Sequence, residues 1–239
     1  MKKCIFAAFA AVMSSVVGNT LSDETLLRFA PMPKIPVIDG KIGYDEWKYA
    51  STTFGGISPK TKLMTFRQND FRFGYDANNV YFSITSEIPL LPQSLDKDDC
   101  VEFQLLPPGK TIPFVIQYDI TGKGQVPAGA KLKNSVGYAI MNAEQGKCWI
   151  TEIAIPYSAL GVTGFKDGEK WGLQMIRHWS SKKETGYFHL PGKAGEMATF
   201  IPDSKAPIIS FDGFGQLMYQ NAGNYIWTYR VAAPLTPAR

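Results

Sequence analysis

The chain has 239 residues, 45% of them apolar, with 25 basic and 21 acidic side chains and only two histidines. A formal charge of +4 is too small for a nucleic-acid footprint or a polybasic membrane patch. The length suits one large β domain or two small ones, the apolar content is ample for a sizeable core, and two histidines leave little room for a zinc hydrolase.

Lys2 and Lys3 precede an apolar, small-residue-rich run from Cys4 to Val17 that is too short to span a bilayer. It reads as a signal peptide over residues 1–18, with Val16 and Gly18 at the small positions of a cleavage site. The expected location is therefore secreted, periplasmic or cell-surface. With Cys4 in the leader, Cys100 and Cys148 remain, and both a disulfide and two buried thiols are open readings for that pair.

Pro31, Pro33 and Pro36 keep the next segment extended, Asp39-Gly40 turns it, and Asp45 to Ala50 favours a single helical turn with Trp47 facing inward. Phe71, Phe73 and Tyr75, then Val80, Phe82 and Ile84, alternate with other residues on either side of Asp76-Ala77-Asn78-Asn79, which predicts a hairpin. Further strands are predicted at Cys100–Leu105, Phe114–Asp119, Val136–Met141, Cys148–Ile155, Trp171–Trp179 and Gly215–Tyr219, each bounded by turn residues. A short helical turn is expected from Pro156 to Leu160, ended by Gly161. This pattern describes an all-β fold: two antiparallel sheets in a jelly-roll-like sandwich over residues 19–230, with one or two helical turns and a tail or linker at 231–239.

No nucleophile elbow, HExxH pair or phosphate loop occurs in the sequence. Asp98, Asp99, Glu102, Asp119 and Glu152 lie on or beside predicted strands, so a two-carboxylate glycosidase using Glu102 and Glu152 is the enzymatic alternative. Along the strand from Cys100, Glu102 and Gln104 share the face opposite Val101, Phe103 and Leu105. Gln117 alternates with Ile116 and Tyr118, while Arg177 and Trp179 share one face of the late strand and His178 takes the other. If these strands adjoin, Glu102, Gln104, Gln117 and Arg177 make a hydrogen-bonding patch for sugar hydroxyls, and Trp179 can stack on a pyranose. The alternative is an ordinary solvated face with cross-strand charge pairs. Trp47, Trp149 and Trp171 are expected in the core.

The order of several segments resembles a family. Ile38-Asp39-Gly40-Lys41-Ile42 with Glu46-Trp47 and Ala50 looks like the opening of family 9 carbohydrate-binding modules and their DOMON-like relatives. Tyr75-Asp76 with Val80-Tyr81-Phe82, then Asp98-Asp99-Cys100-Val101-Glu102-Phe103, resemble their next two motifs. Trp149 to Leu160, Gly168 to Leu173 and Phe214 to Leu217 complete the series. The resemblance implies an exported, noncatalytic β-sandwich, commonly appended to polysaccharide-active enzymes, that holds a sugar end between two tryptophans. It implies hydrogen-bonding roles for Glu102 and Gln117, and a bound calcium whose ligands it does not assign here. The sequence departs from the pattern in having no tryptophan between Pro89 and Asp98 or between Pro207 and Phe214, where Phe211 is the nearest aromatic to a substitute. The ligand-binding candidates are accordingly Glu102, Gln117, Arg177, Trp179 and Phe211. A DOMON-type haem domain, with Met175 or His178 as axial ligand, and a structural or interaction module without sugar binding are the other readings.

Overall fold

A computed structural model describes residues 19–42, 46–65, 69–88, 99–119, 122–125, 127, 133–142, 146–179, 184–189 and 191–206. The leader, the strand expected at 215–219, Phe211, Asp98 and the tail at 231–239 lie outside the described residues.

Twelve strands form among the described residues: β1 (Thr20–Phe29), β2 (Ser51–Phe54), β3 (Asn69–Tyr75), β4 (Asn79–Ile88), β5 (Cys100–Leu106), β6 (Phe114–Asp119), β7 (Gly124–Gln125), β8 (Lys133–Asn142), β9 (Gly146–Pro156), β10 (Trp171–Trp179), β11 (Glu184–Tyr187) and β12 (Glu196–Pro202). They make a seven-stranded sheet in the order β1-β12-β10-β5-β6-β7, with β11 also on β10, and a five-stranded sheet in the order β2-β3-β4-β9-β8. All pairs are antiparallel except β1 with β12. The predicted all-β sandwich is the observed fold.

The hairpin β3–β4 turns where Asp76 caps it: its carboxylate accepts from the backbone N–H groups of Asn78 and Asn79, both at 2.7 Å. The turn after β9 is a single 3₁₀ turn, Tyr157–Leu160, closed by Gly161 at φ 70°, a left-handed conformation that favours glycine. Around Trp47 the described residues form only one turn, in which Ala50 N donates to Trp47 O at 3.0 Å. The sequence expectations do not include strands β1, β2, β7, β11 and β12. Of these, β1, β2, β7 and β11 stand at a sheet edge, where alternation is weaker because one side has no strand neighbour to satisfy.

The two sheets face each other across an aromatic core. Phe73 and Phe82 of the smaller sheet meet Phe103, Phe200 and Phe29 of the larger one, with ring centroids about 5 Å apart. Phe82 is fully buried and touches the rings of Phe73 and Phe103 at 5.1 and 5.0 Å. Phe82→Ala is expected to lower stability by about 3–5 kcal/mol, read as an earlier midpoint in urea unfolding at unchanged slope.

A second, smaller cluster covers the outer side of the five-stranded sheet. Met32, Ile38, Trp47 and Ala50 from the segment after β1 pack there on Tyr81 and Ala154. Trp47 is thus buried as expected, but outside the inter-sheet core. Trp149 and Trp171 do lie in that core.

Candidate functional site

In the seven-stranded sheet, Val101, Phe103 and Leu105 of β5 point into the core, so Cys100, Glu102 and Gln104 point to the outer face. The strand register then lays polar residues across neighbouring strands. Gln117 of β6 stands directly opposite Glu102, and Gln125 of β7 stands opposite Gln117. On the other flank Ile176 of β10 is opposite Glu102, and Tyr187 of β11 is opposite Ile176. His178 lies two residues along β10, diagonal to Glu102 on the same face.

These side chains converge on one carboxylate. The Nε2 groups of Gln104 and Gln117 donate to Oε1 and Oε2 of Glu102, respectively, and His178 Nε2 stands 3.5 Å from Oε2. Glu102 is only 5% exposed, whereas Gln104, Gln117, His178 and Tyr187 are half-buried. Burial alone raises the pKa of the Glu102 carboxyl, but the His178 imidazole and the two amides outweigh it and hold the group below its usual value. Burial, reinforced by the Glu102 charge, pushes the Tyr187 phenol up. The arrangement is an ionised carboxylate floor with amide, imidazole and phenol groups around it, able to exchange several hydrogen bonds with a polyhydroxylated ligand.

Of the sequence candidates, Glu102 and Gln117 meet here, and Phe211 lies outside the described residues. Arg177 and Trp179 do not join them; both are 1% exposed on the core side of β10. The guanidinium of Arg177 is already occupied: Nη2 donates to Asp99 at 2.9 Å, Nη1 donates to the Cys100 carbonyl at 3.2 Å, and Nη1 also donates to the His178 carbonyl. It is stacked between the rings of Trp149 and Trp179, whose centroids are 4.5 and 5.0 Å from its central carbon. The signal that could have located this face was the parity of β10 read from its start. Trp171, Leu173 and Met175 share the side of Arg177 and Trp179, and that apolar series belongs to the core. Tyr187 and His178 stand on this face too, although the sequence reading did not place them there. Tyr187 sits on a four-residue strand too short to show a period, and its place beside Glu102 follows only from β11 pairing with β10.

The Glu102 and Glu152 pair does not make a hydrolytic dyad. Glu152 lies on the outer side of the five-stranded sheet, with the core between it and Glu102, so the two cannot flank one glycosidic bond. Its oxygens are taken by the chain segment above them: Oε2 accepts from the backbone of Asp39 at 3.1 Å and Gly40 at 2.7 Å, and Oε1 accepts from Trp47 Nε1 at 2.7 Å. Met175 is packed in the core while His178 faces outward, so these residues do not address a common haem. Cys100 begins β5 in one sheet and Cys148 belongs to β9 in the other; the Cys148 side chain is outside the described residues. No group of three or more His, Cys, Asp or Glu among the described residues is arranged to hold a metal ion.

The fold is a β-sandwich of the kind seen in family 9 carbohydrate-binding modules. Two solved structures show the likeness: family 9 carbohydrate-binding modules from Caldicellulosiruptor kristjanssonii, one in complex with cellotriose and one in complex with glucose. The first has a TM-score of 0.55 and 16% identity, covering 76% of this chain and 95% of that one. The second has a TM-score of 0.51 and 16% identity, covering 76% of this chain and 98% of that one. No family model matches the sequence. No curated protein matches it either.

Proposed function

We propose that this chain is a noncatalytic carbohydrate-binding domain of an exported protein, taking sugar hydroxyls on the outer face of its seven-stranded sheet. The observation that carries this reading is the convergence of Gln104, Gln117 and His178 on the buried Glu102 carboxylate, with Tyr187 alongside. Sugar recognition needs hydrogen-bonding groups held rigidly beside an aromatic surface, and strand residues locked by register supply that rigidity. The same fold in the solved modules accompanies bound cellotriose and glucose, which supports the choice of ligand class. Export follows from the leader read in residues 1–18 and would place the site where polysaccharides occur.

Calorimetric titration with glucose and cellotriose, together with pull-down on insoluble polysaccharides, tests the proposal. Saturable binding to at least one of them is expected. A folded protein that binds none overturns it. Tyr187→Ala is expected to weaken binding about tenfold, the equivalent of roughly 1.4 kcal/mol of lost stacking, with little change in melting temperature.

A further inference from the structure

Glu102 has almost no exposure, and its oxygens are already engaged by groups from three strands. An ionised carboxylate can only accept hydrogen bonds. Each of the two glutamines must therefore turn its NH₂ group toward Glu102, and the planar amide then carries its Oε1 away from the carboxylate. Among the described residues neither Gln104 Oε1 nor Gln117 Oε1 has a hydrogen-bond partner, although both side chains are half-buried. Gln104 follows Glu102 by two residues on the same strand face, and Gln117 is its direct cross-strand partner. Both amides thus adjoin one carboxylate and are held in orientation by that single anion.

We infer that Glu102 is a positioning residue, and that the ligand-reading groups are the Oε1 atoms of Gln104 and Gln117, a pair of fixed acceptors that selects ligands presenting neighbouring free hydroxyl donors. This deepens the carbohydrate-binding reading and rests on it for the nature of the ligand. The orientation of the two amides stands independently. A lone glutamine amide in a solvated site can flip to suit donor or acceptor. Here flipping would set a carbonyl oxygen against a carboxylate oxygen, which makes it unfavourable in a partly desolvated setting. The sheet face is thereby biased toward hydroxyl donors and against ligands whose hydroxyls are capped as ethers.

Two readouts test this on the full chain. In the first, nitrogen-15 NMR follows the side-chain NH₂ signals of Gln104 and Gln117, assigned through Gln104→Ala and Gln117→Ala. Both are expected away from free-glutamine positions in the wild type. In Glu102→Gln, whose amide offers a single accepting oxygen, at least one should return toward them. Unchanged signals in Glu102→Gln, with a retained strand spectrum, overturn the positioning role without touching the sugar reading. The second readout is the dissociation constant for cellotriose. Glu102→Gln is expected to weaken binding about tenfold in the wild type but less than about threefold in a Gln117→Ala background, where the remaining amide no longer competes for the accepting oxygen. Equal losses in both backgrounds would mean that the carboxylate itself contacts the sugar, and would overturn the inference. Should the wild type bind no cellotriose while the amide signals behave as expected, the assignment of a sugar ligand fails and the positioning role of Glu102 stands.

Discussion

Replacing Arg177 with alanine is expected to destabilise the protein by about 3–5 kcal/mol, the effect of leaving a buried carboxylate without its cation. Asp99 is 1% exposed, and the ion pair to Arg177 Nη2 is 2.9 Å long. The guanidinium also fills the space between two tryptophan rings, so the truncation removes packing as well as charge. Two comparisons make the cause visible. Arg177→Lys keeps a cation but loses the planar fork and the two-sided stacking, and should recover only part of the stability. Arg177→Met with Asp99→Asn removes both charges at similar volume and should be less destabilised than Arg177→Ala alone. Chemical unfolding of the four proteins measures this. A sugar-gripping arginine on an open face would behave oppositely, with affinity lost and stability kept; that result would return Arg177 to the binding site.

The second large effect is expected at Glu152. Its carboxylate collects three N–H donors, from Asp39, Gly40 and Trp47, and so pins the segment after β1 onto the outer side of the five-stranded sheet. Glu152→Ala leaves those donors without their acceptor and is expected to lower stability by about 2–4 kcal/mol. Glu152→Gln is no rescue, because its NH₂ group would face a donor where an oxygen now accepts. Limited proteolysis distinguishes a local from a global effect: cleavage near residues 39–47 should accelerate before the strands of the core are lost.

Protonation adds a second signature. Burial outweighs the three donors and raises the Glu152 carboxyl above its ordinary value near 4.5. Between those two values the native state holds a proton that the unfolded chain has released. The contribution of Glu152 to stability therefore falls as pH rises through that window and is regained on acidification. Glu102 runs the other way. Its folded value lies below the ordinary one, so its contribution is present above about 4.5 and is lost as pH falls through the folded value. Measured from pH 7 down to pH 4, the stability gap between wild type and Glu152→Ala should widen, and the gap to Glu102→Gln should narrow.

Much of the architecture was legible in local sequence. The alternation of Phe71, Phe73 and Tyr75 and of Val80, Phe82 and Ile84 marks a hairpin because a strand with one face on a core repeats every two residues. Phe114–Asp119 and Trp171–Trp179 begin and end where their turn residues place them. The motif that opens the domain also has a physical meaning now. Gly40, at φ 84°, takes a turn that favours glycine and directs its N–H to Glu152, whose strand lies more than a hundred residues away.

The candidate site was legible only in part. Period two separates Glu102 from Val101, and Arg177 from His178, but it does not say which face meets the core. For β5 the apolar series answered that question, and Glu102 and Gln117 were placed on the outer face. For β10 the same rule, applied to three residues instead of nine, put Arg177 and Trp179 outside. The parity of Trp171, Leu173 and Met175 turns them inward, but no local pattern encodes the meeting with Asp99, just before β5, and Trp149 of β9 that satisfies the buried cation. Tyr187 likewise reaches the Glu102 face only because β11 adds to the edge of β10. By itself the sequence determined an all-β chain, its main strands and the alternation of their faces, because these depend on neighbours along the chain. Which polar groups meet across strands follows from the tertiary structure, because register between strands distant in sequence sets the distances from Glu102 and Gln104 to Gln117, His178 and Tyr187.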